Sequence, residues 1–269
     1  MKSSSRALLP FASAIALAAA LATSAQAQTA APEAAPAAEA LPITGNFAIT
    51  SNYISRGFTQ SWSKPAIQGG VDYAHASGFF VGTWLSSISG TEFRGGSSEW
   101  GIYAGYAGTL GDIGYTAALY QYLYQGSTSP FVEGRKYDYT EVKLGVSKGI
   151  FSFNTFITVS DDYFGTFDKG RGSLYLDLNA NPDLGNGYTL LTHIGVGALA
   201  KHSYANWVDY KVGVSKALPG NWTLTGAVTY AQDKDKFWTG SDFAADSTGN
   251  TYTKRLGKTA LALTLGKTF

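Results

Sequence analysis

Hydrophobic and polar residues alternate with a period of two along most of the chain after about residue 43. In residues 207–217, Val208, Tyr210, Val212 and Val214 share one parity, and Asp209, Lys211 and Gly213 share the other. In 137–148, Val142, Leu144 and Val146 oppose Glu141 and Lys143; in 172–180, Leu174, Leu176 and Leu178 oppose Asp177; in 65–76, Ile67, Val71 and Tyr73 oppose Gln68 and Asp72. A period of two is that of a β-strand with one apolar and one polar face. About twelve such segments follow one another, near 46–56, 65–76, 79–88, 98–107, 112–124, 137–148, 150–160, 172–180, 187–200, 207–217, 221–232 and 257–269. Each is close to the roughly 9–11 residues that a tilted membrane-spanning strand needs.

The connections alternate in length. Short ones fall at 76–78, 108–111, 148–149, 181–186 and 218–220, and carry Gly, Asn, Ser and Pro, the residues of tight turns. Longer ones fall near 57–64, 89–97, 125–136, 161–171, 201–206 and 233–256. Short turns on one side and longer loops on the other are the signature of a transmembrane up-and-down antiparallel β-barrel. An even strand count puts both ends of the barrel on the short-turn, periplasmic side. The last segment alternates up to Phe269, through Leu261, Leu263 and Leu265. A closing strand that stops on an aromatic fits a barrel whose final ring sits at the membrane interface, and it resembles the C-terminal signal of bacterial outer-membrane proteins. The barrel-assembly machinery is the partner expected for it. Lys267 shares the apolar parity, where its stem can lie along lipid while the ammonium reaches water.

The opening of the chain agrees. Lys2 and Arg6 precede an Ala/Leu-rich stretch over about 7–22 and an Ala25-Gln26-Ala27 cleavage pattern, so residues 1–27 read as a secretory signal peptide. Residues 28–42 are Ala, Pro and Glu with little to bury, a periplasmic linker, and the barrel occupies 43–269. The location expected is therefore the bacterial outer membrane, reached through the periplasm.

Composition narrows the chemistry. There is no Cys, so disulfides and thiolate metal sites are excluded; charged residues make up 14%, aromatics 14%, and Gly numbers 32. Formal net charge is +1, which gives no support to nucleic-acid binding. Three scattered His residues offer no metal-ligand spacing, and no phosphate-binding or dinucleotide motif is present, so neither metal nor cofactor is expected.

The run Gly45-Asn-Phe-Ala-Ile-Thr-Ser-Asn-Tyr-Ile-Ser-Arg-Gly-Phe-Thr-Gln-Ser61 resembles the opening strand and loop of the TorF family of proteobacterial porins. The following Pro65–Trp84 segment resembles that family's next hairpin, and the similarity continues through Asp162-Tyr163-Phe164 to the terminal strand. The resemblance implies an outer-membrane barrel with a pore role; it carries over no binding residues.

Site candidates come from parity. Charge on a lipid-facing position costs about 2–4 kcal/mol for a basic residue at the midplane, so charges point inward. The pore-lining candidates are Asp72, Glu99, Glu141, Lys143, Asp177, His193, Asp209 and Lys211, with Arg56 as a mouth candidate. Opposite charges at neighbouring inward positions either line a water-filled channel or neutralise one another in a plugged interior. Trp222, Tyr230, Phe151, Phe153, Tyr188 and Phe269 are expected in the interfacial girdle, with Tyr53, Trp207 and Tyr124 on its loop side. Tyr120, Tyr122 and Tyr124 share the inward parity, but a bulge near Leu119 would turn them out to the girdle, the placement favoured. The segment Lys143–Lys148 is echoed at Lys211–Lys216.

Twelve strands exceed the eight whose side chains fill a barrel, so a narrow polar conduit is geometrically available. The function expected is a non-enzymatic outer-membrane channel for passive diffusion of ions or small hydrophilic solutes, bathed in outer-membrane lipid. A structural or adhesive barrel acting through its loops is the alternative. An outer-membrane lipid hydrolase is a lesser one: His75 and Ser77 have the two-residue spacing of such enzymes, but lie at the wrong end of the barrel and lack an evident orienting acid.

Overall fold

The computed structural model describes residues 42–129, 133–165, 167–238, 243–245 and 251–269. The expected signal peptide over 1–27 and, apart from Pro42, the linker over 28–42 lie outside the described residues. In chain order the strands are β1 (Ile43–Thr50), β2 (Ile54–Ser55), β3 (Phe58–Thr59), β4 (Ala66–Ala74), β5 (Phe79–Ser87), β6 (Ser98–Leu110), β7 (Ile113–Gln125), β8 (Tyr139–Lys148) and β9 (Phe151–Thr158). They continue as β10 (Leu174–Ala180), β11 (Asp183–Gly185), β12 (Tyr188–Ala198), β13 (Trp207–Leu218), β14 (Trp222–Asp233), β15 (Phe243–Ala245), β16 (Thr251–Thr253) and β17 (Ala260–Thr268).

Twelve of these form one closed antiparallel ring, β1-β4-β5-β6-β7-β8-β9-β10-β12-β13-β14-β17, each strand paired with its neighbours. Closure is made by β1 and β17, in register from Asn46 opposite Thr268 to Thr50 opposite Thr264. Three short pairings decorate the ring: β2 with β3, β15 with β16, and β11 with the start of β12.

The alternating pattern becomes two faces. Val212 is 59% exposed on the outer wall and Leu261 60%, whereas Glu141 is 1% exposed and Asp209 2% on the inner wall. Leu144, Val146, Ile67, Val71, Val228 and Leu263 join the outer belt. An apolar surface of this extent suits hydrocarbon and would be a liability in water.

The six girdle candidates all stand on the outer face, Phe269 and Phe151 the most exposed. Basic residues at the short-turn rim settle among them. The Lys267 ammonium lies 5.2 Å from the Trp222 ring centre and 5.1 Å from that of Phe269. Lys216 sits 4.0 Å over Tyr188, and Lys148 pairs with Asp112 at 3.1 Å. Cation–π contact and exposure together keep these charges at the interface.

Three rings expected on the loop side of the girdle are instead interior: Tyr53, Trp207 and Tyr124 are each at most 3% exposed. The Tyr120–Tyr124 trio is interior too. The β6–β7 register runs unbroken past Leu119, so no bulge rotates the strand and Tyr120 and Tyr124 keep the inward parity and are buried. The first strand differs as well. It ends at Thr50 rather than near residue 56: Ser51 still donates its backbone N–H to the Leu263 carbonyl at 2.8 Å, but from Asn52 the chain turns in, the Thr50 hydroxyl donating to the Asn52 carbonyl at 3.1 Å and the Tyr53 hydroxyl to Glu99 at 2.9 Å.

Replacing Val212 by Arg places a cation at mid-height on the outer wall. Denaturant titration of protein refolded into lipid vesicles is expected to show a loss of about 2–4 kcal/mol.

Candidate functional site: the barrel lumen

The chain leaving β1 does not arch over the mouth. It folds into the barrel as a hairpin, β2 and β3, joined by Arg56 and Gly57. Both turn residues have positive φ, 49° and 86°, as a type I′ turn requires. Gly57 is needed for a second reason: a Cβ there would lie 2.5 Å from Asp209 Cβ.

The hairpin delivers Arg56 across the lumen. Its guanidinium makes a forked pair with Glu141, Nη1 to Oε1 at 2.9 Å and Nη2 to Oε2 at 2.5 Å. Nη1 also donates to the Tyr163 hydroxyl at 3.1 Å, and the guanidinium carbon lies 4.6 Å from the Tyr175 ring centre and 5.0 Å from that of Phe156. Trp207 Nε1 donates to the Arg56 carbonyl at 3.1 Å, tying the hairpin tip to β13. Arg56, expected at the mouth, lies buried inside the loop-side end of the lumen. It is an interior cation, held by a planar fork that only Arg supplies.

Around this anchor the outer loops and strand ends pack an aromatic core that includes Phe58, Phe93, Tyr124, Tyr137, Tyr139, Phe156, Phe167 and Trp207. Tyr103, Tyr120 and Phe80 continue the filling farther along the barrel. Rings stack from Tyr103 to Tyr120 at 4.9 Å and from Tyr122 to Tyr139 at 4.7 Å. The β5–β10 side of the lumen is thus filled with rings.

All eight charged candidates lie on the inner wall, in distinct settings. Asp72 accepts a hydrogen bond from the Tyr103 hydroxyl at 2.5 Å, and Glu99 one from Tyr53 at 2.9 Å. Lys143 lies 5.5 Å from the Phe156 ring centre. His193 joins two carboxylates: Nδ1 is 2.7 Å from Asp177 and Nε2 is 2.9 Å from Asp209. A ring that donates to both acids is an imidazolium. Asp177 also accepts from Asn154 at 2.9 Å and Asn179 at 2.8 Å, and Asp209 from Tyr175 at 3.1 Å and Trp207 at 3.2 Å. Gly195 makes room for this network, since a side chain there would strike Tyr175 and Asp209.

The opposite side is different. A cavity of about 60 Å³ remains between the hairpin and the wall formed by β1, β13, β14 and β17. It is lined by Thr50, Asn52, Gln68, Lys211, Thr225, Thr229 and Thr264, with Tyr53, Ile54, Leu191, Ala227 and Ala262 among them. The short Thr and Ala side chains of β14 and β17 leave space where the rings of the other side do not.

The chemistry considered for His75 and Ser77 takes a simple form here. Ser77 Oγ is 2.6 Å from His75 Nδ1 in an exposed turn, and among the described residues no carboxylate meets the other ring nitrogen. The described residues contain no group of three His, Cys, Asp or Glu able to hold a metal ion.

A family model described as a bacterial protein of unknown function (Gcw_chp) matches residues 34–269. The chain belongs to the Gcw_chp family. No curated protein matches it. The Gcw_chp chain is similar in shape to the KdgM porin, at 8% identity and a TM-score of 0.48, over 84% of this chain and 97% of that one. It is also similar to the COG4313 outer membrane channel from Pseudomonas putida F1, at 14% identity and a TM-score of 0.48, over 88% of this chain and 100% of that one. Likeness at this level concerns the barrel shape alone.

Removing the Glu141 carboxylate leaves Arg56 buried without its partner. Glu141→Ala is expected to cost about 3–5 kcal/mol, read as a lower denaturant midpoint for the refolded barrel. Gly57→Val forces both a strained φ and a clash, and is expected to release the hairpin, read as increased protease cleavage within residues 51–65.

Proposed function

We propose that this Gcw_chp protein is an outer-membrane channel through which small hydrophilic solutes pass by diffusion, with the Arg56 hairpin as its constriction. The observation that carries the reading is the division of the lumen. One side is closed by stacked rings and the anchored hairpin; the other keeps a gap where Thr, Asn, Gln and Lys211 side chains alternate with Tyr53, Ile54, Leu191, Ala227 and Ala262. The apolar outer belt supports membrane insertion, and the rim aromatics with their lysines support a defined depth in it. The resemblance of residues 45–84 to the TorF porins supports the same role.

Transport in this reading involves no chemical step. Selection comes from size at the hairpin and from the field of fixed charges on the inner wall. The mixed lining includes Lys143 and Lys211 among acids that are mostly occupied by internal donors.

The test is single-channel recording of the refolded protein in planar bilayers. Discrete current steps are expected; a folded, heat-modifiable barrel that stays silent would favour a structural or loop-binding role instead. Lys143→Glu or Lys211→Glu is expected to move the reversal potential in a salt gradient toward cation preference. An unchanged potential in both would show that neither faces the conduit. Arg56→Ala, which removes the cross-lumen anchor, is expected to raise the step size.

A further inference from the structure

Of the three histidines, His193 alone stands inside the ring of strands; His75 sits in an exposed turn and His202 in an outer loop. The His193 side chain is 9% exposed and lies between two carboxylates, Asp177 on β10 and Asp209 on β13. This trio is tied to the constriction. Trp207 Nε1 donates to Asp209 at 3.2 Å, and the same N–H donates to the Arg56 carbonyl at the hairpin tip at 3.1 Å. Gly57, the other tip residue, lies so close to the Asp209 side chain that no Cβ fits between them. Asp209 is therefore the wall group on which the hairpin tip rests.

The two acids are not held alike. Asp177 has two donors of its own, Asn154 at 2.9 Å and Asn179 at 2.8 Å. The further donors to Asp209 are both shared. Trp207 divides its N–H with the Arg56 carbonyl, and the Tyr175 hydroxyl lies 3.1 Å from Asp209 Oδ2 and 3.1 Å from His193 Nε2. As an imidazolium the ring donates to both acids, whereas a neutral ring has one N–H and one lone pair, so one acid loses its donor. The better-held Asp177 keeps Nδ1–H, and the Nε2 lone pair turns to Asp209. That lone pair is a new acceptor for the Tyr175 hydroxyl. Asp209 then loses two donors at once, and a carboxylate without partners is costly away from water. It competes with the Arg56 carbonyl for the N–H of Trp207, and the hold on the hairpin tip weakens.

Other titratable groups surround the trio. Lys211 faces His193 across the β12–β13 pairing. Lys143 on β8 lies within electrostatic reach of Asp177, and Tyr163, in the loop after β9, within reach of Asp209. The Arg56 guanidinium, paired with Glu141, lies over the Tyr175 ring. His193 is the group that touches both acids.

Resting on the channel reading above, we propose that His193 is a proton-operated latch for the constriction: with its proton it fixes Asp209, Trp207 and the hairpin tip, and without it the tip is released and the passage widens. The sign follows from linkage. The closed form binds the proton, so closure holds at low pH and is lost as pH rises.

The experiment uses the full barrel, refolded and checked by heat-modifiability, between pH 6 and pH 10. Two quantities are read: step size in planar bilayers, and subtilisin cleavage within residues 51–65, normalised at each pH to the unfolded chain. In the wild type both are expected to be low at pH 6 and to rise several-fold with the steepness of one proton. His193→Gln, whose amide has donors at one end only, is expected to hold both high at every pH. Asp209→Asn is expected to do the opposite, because its amide donates to a neutral ring; both quantities stay low throughout. A merely structural role for the cluster would instead raise both in either variant. Asp209→Asn decides the matter should His193→Gln fail to refold. A wild type indifferent to pH, or a rise of unchanged size in Asp209→Asn, would overturn the latch. Cleavage that follows pH in a silent barrel sinks the channel and keeps the latch; current steps with both quantities flat in pH sink the latch and keep the channel.

Discussion

Every other feature of this molecule depends on β1 meeting β17. A β-sheet in hydrocarbon cannot leave an edge, because each unpaired backbone amide or carbonyl there is costly and has no water to satisfy it. The antiparallel register from Asn46 opposite Thr268 to Thr50 opposite Thr264 removes the last edge. Closure then turns the period of two along each strand into an outside and an inside. Leu261, Leu263 and Leu265 on β17 continue the belt formed by Val212 and Val228, while Thr264 and Ala262 join the lumen wall.

Closure at twelve strands creates a second problem: the interior is wider than wall side chains can fill. The chain meets it unevenly. On one side, large rings from β6 to β10 and from the outer loops occupy the space, and the β2–β3 hairpin is drawn in to complete the filling. The Arg56–Glu141 fork, flanked by Phe156 and Tyr175, holds that hairpin against the wall. On the other side short residues leave the gap. The lumen is therefore asymmetric, filled by rings on one side and keeping a gap of about 60 Å³ on the other.

The charges of the inner wall follow the same division. Glu99, Asp72, Asp177 and Asp209 all accept hydrogen bonds from Tyr, Trp, Asn or His side chains nearby. They therefore contribute structure as much as field. The repeated segments at 143–148 and 211–216 show how far position outweighs sequence. Lys143 and Lys211 occupy the same place in near-identical strands, yet one lies over the Phe156 ring and the other borders the open gap.

The strand number, the faces, the alternation of turn and loop lengths and the outer rim aromatics were legible in the sequence, because each follows from local periodicity and turn chemistry. Parity also put the eight charged candidates on the inner face, since a charge on the lipid side is too costly to be left there. Local rules failed where the chain leaves the wall. Nothing in the alternation shows that the strand stops at Thr50, that Arg56 crosses the lumen to Glu141, or that Tyr53, Tyr124 and Trp207 turn inward rather than join the girdle. An Arg-Gly pair in strand-like sequence was the available clue to the hairpin, and Gly57 beside Asp209 shows why it mattered. Those outcomes were decided by tertiary structure for a physical reason: which rings fill a lumen, and which charges find partners there, depends on residues brought together from strands far apart in sequence by closure of the ring.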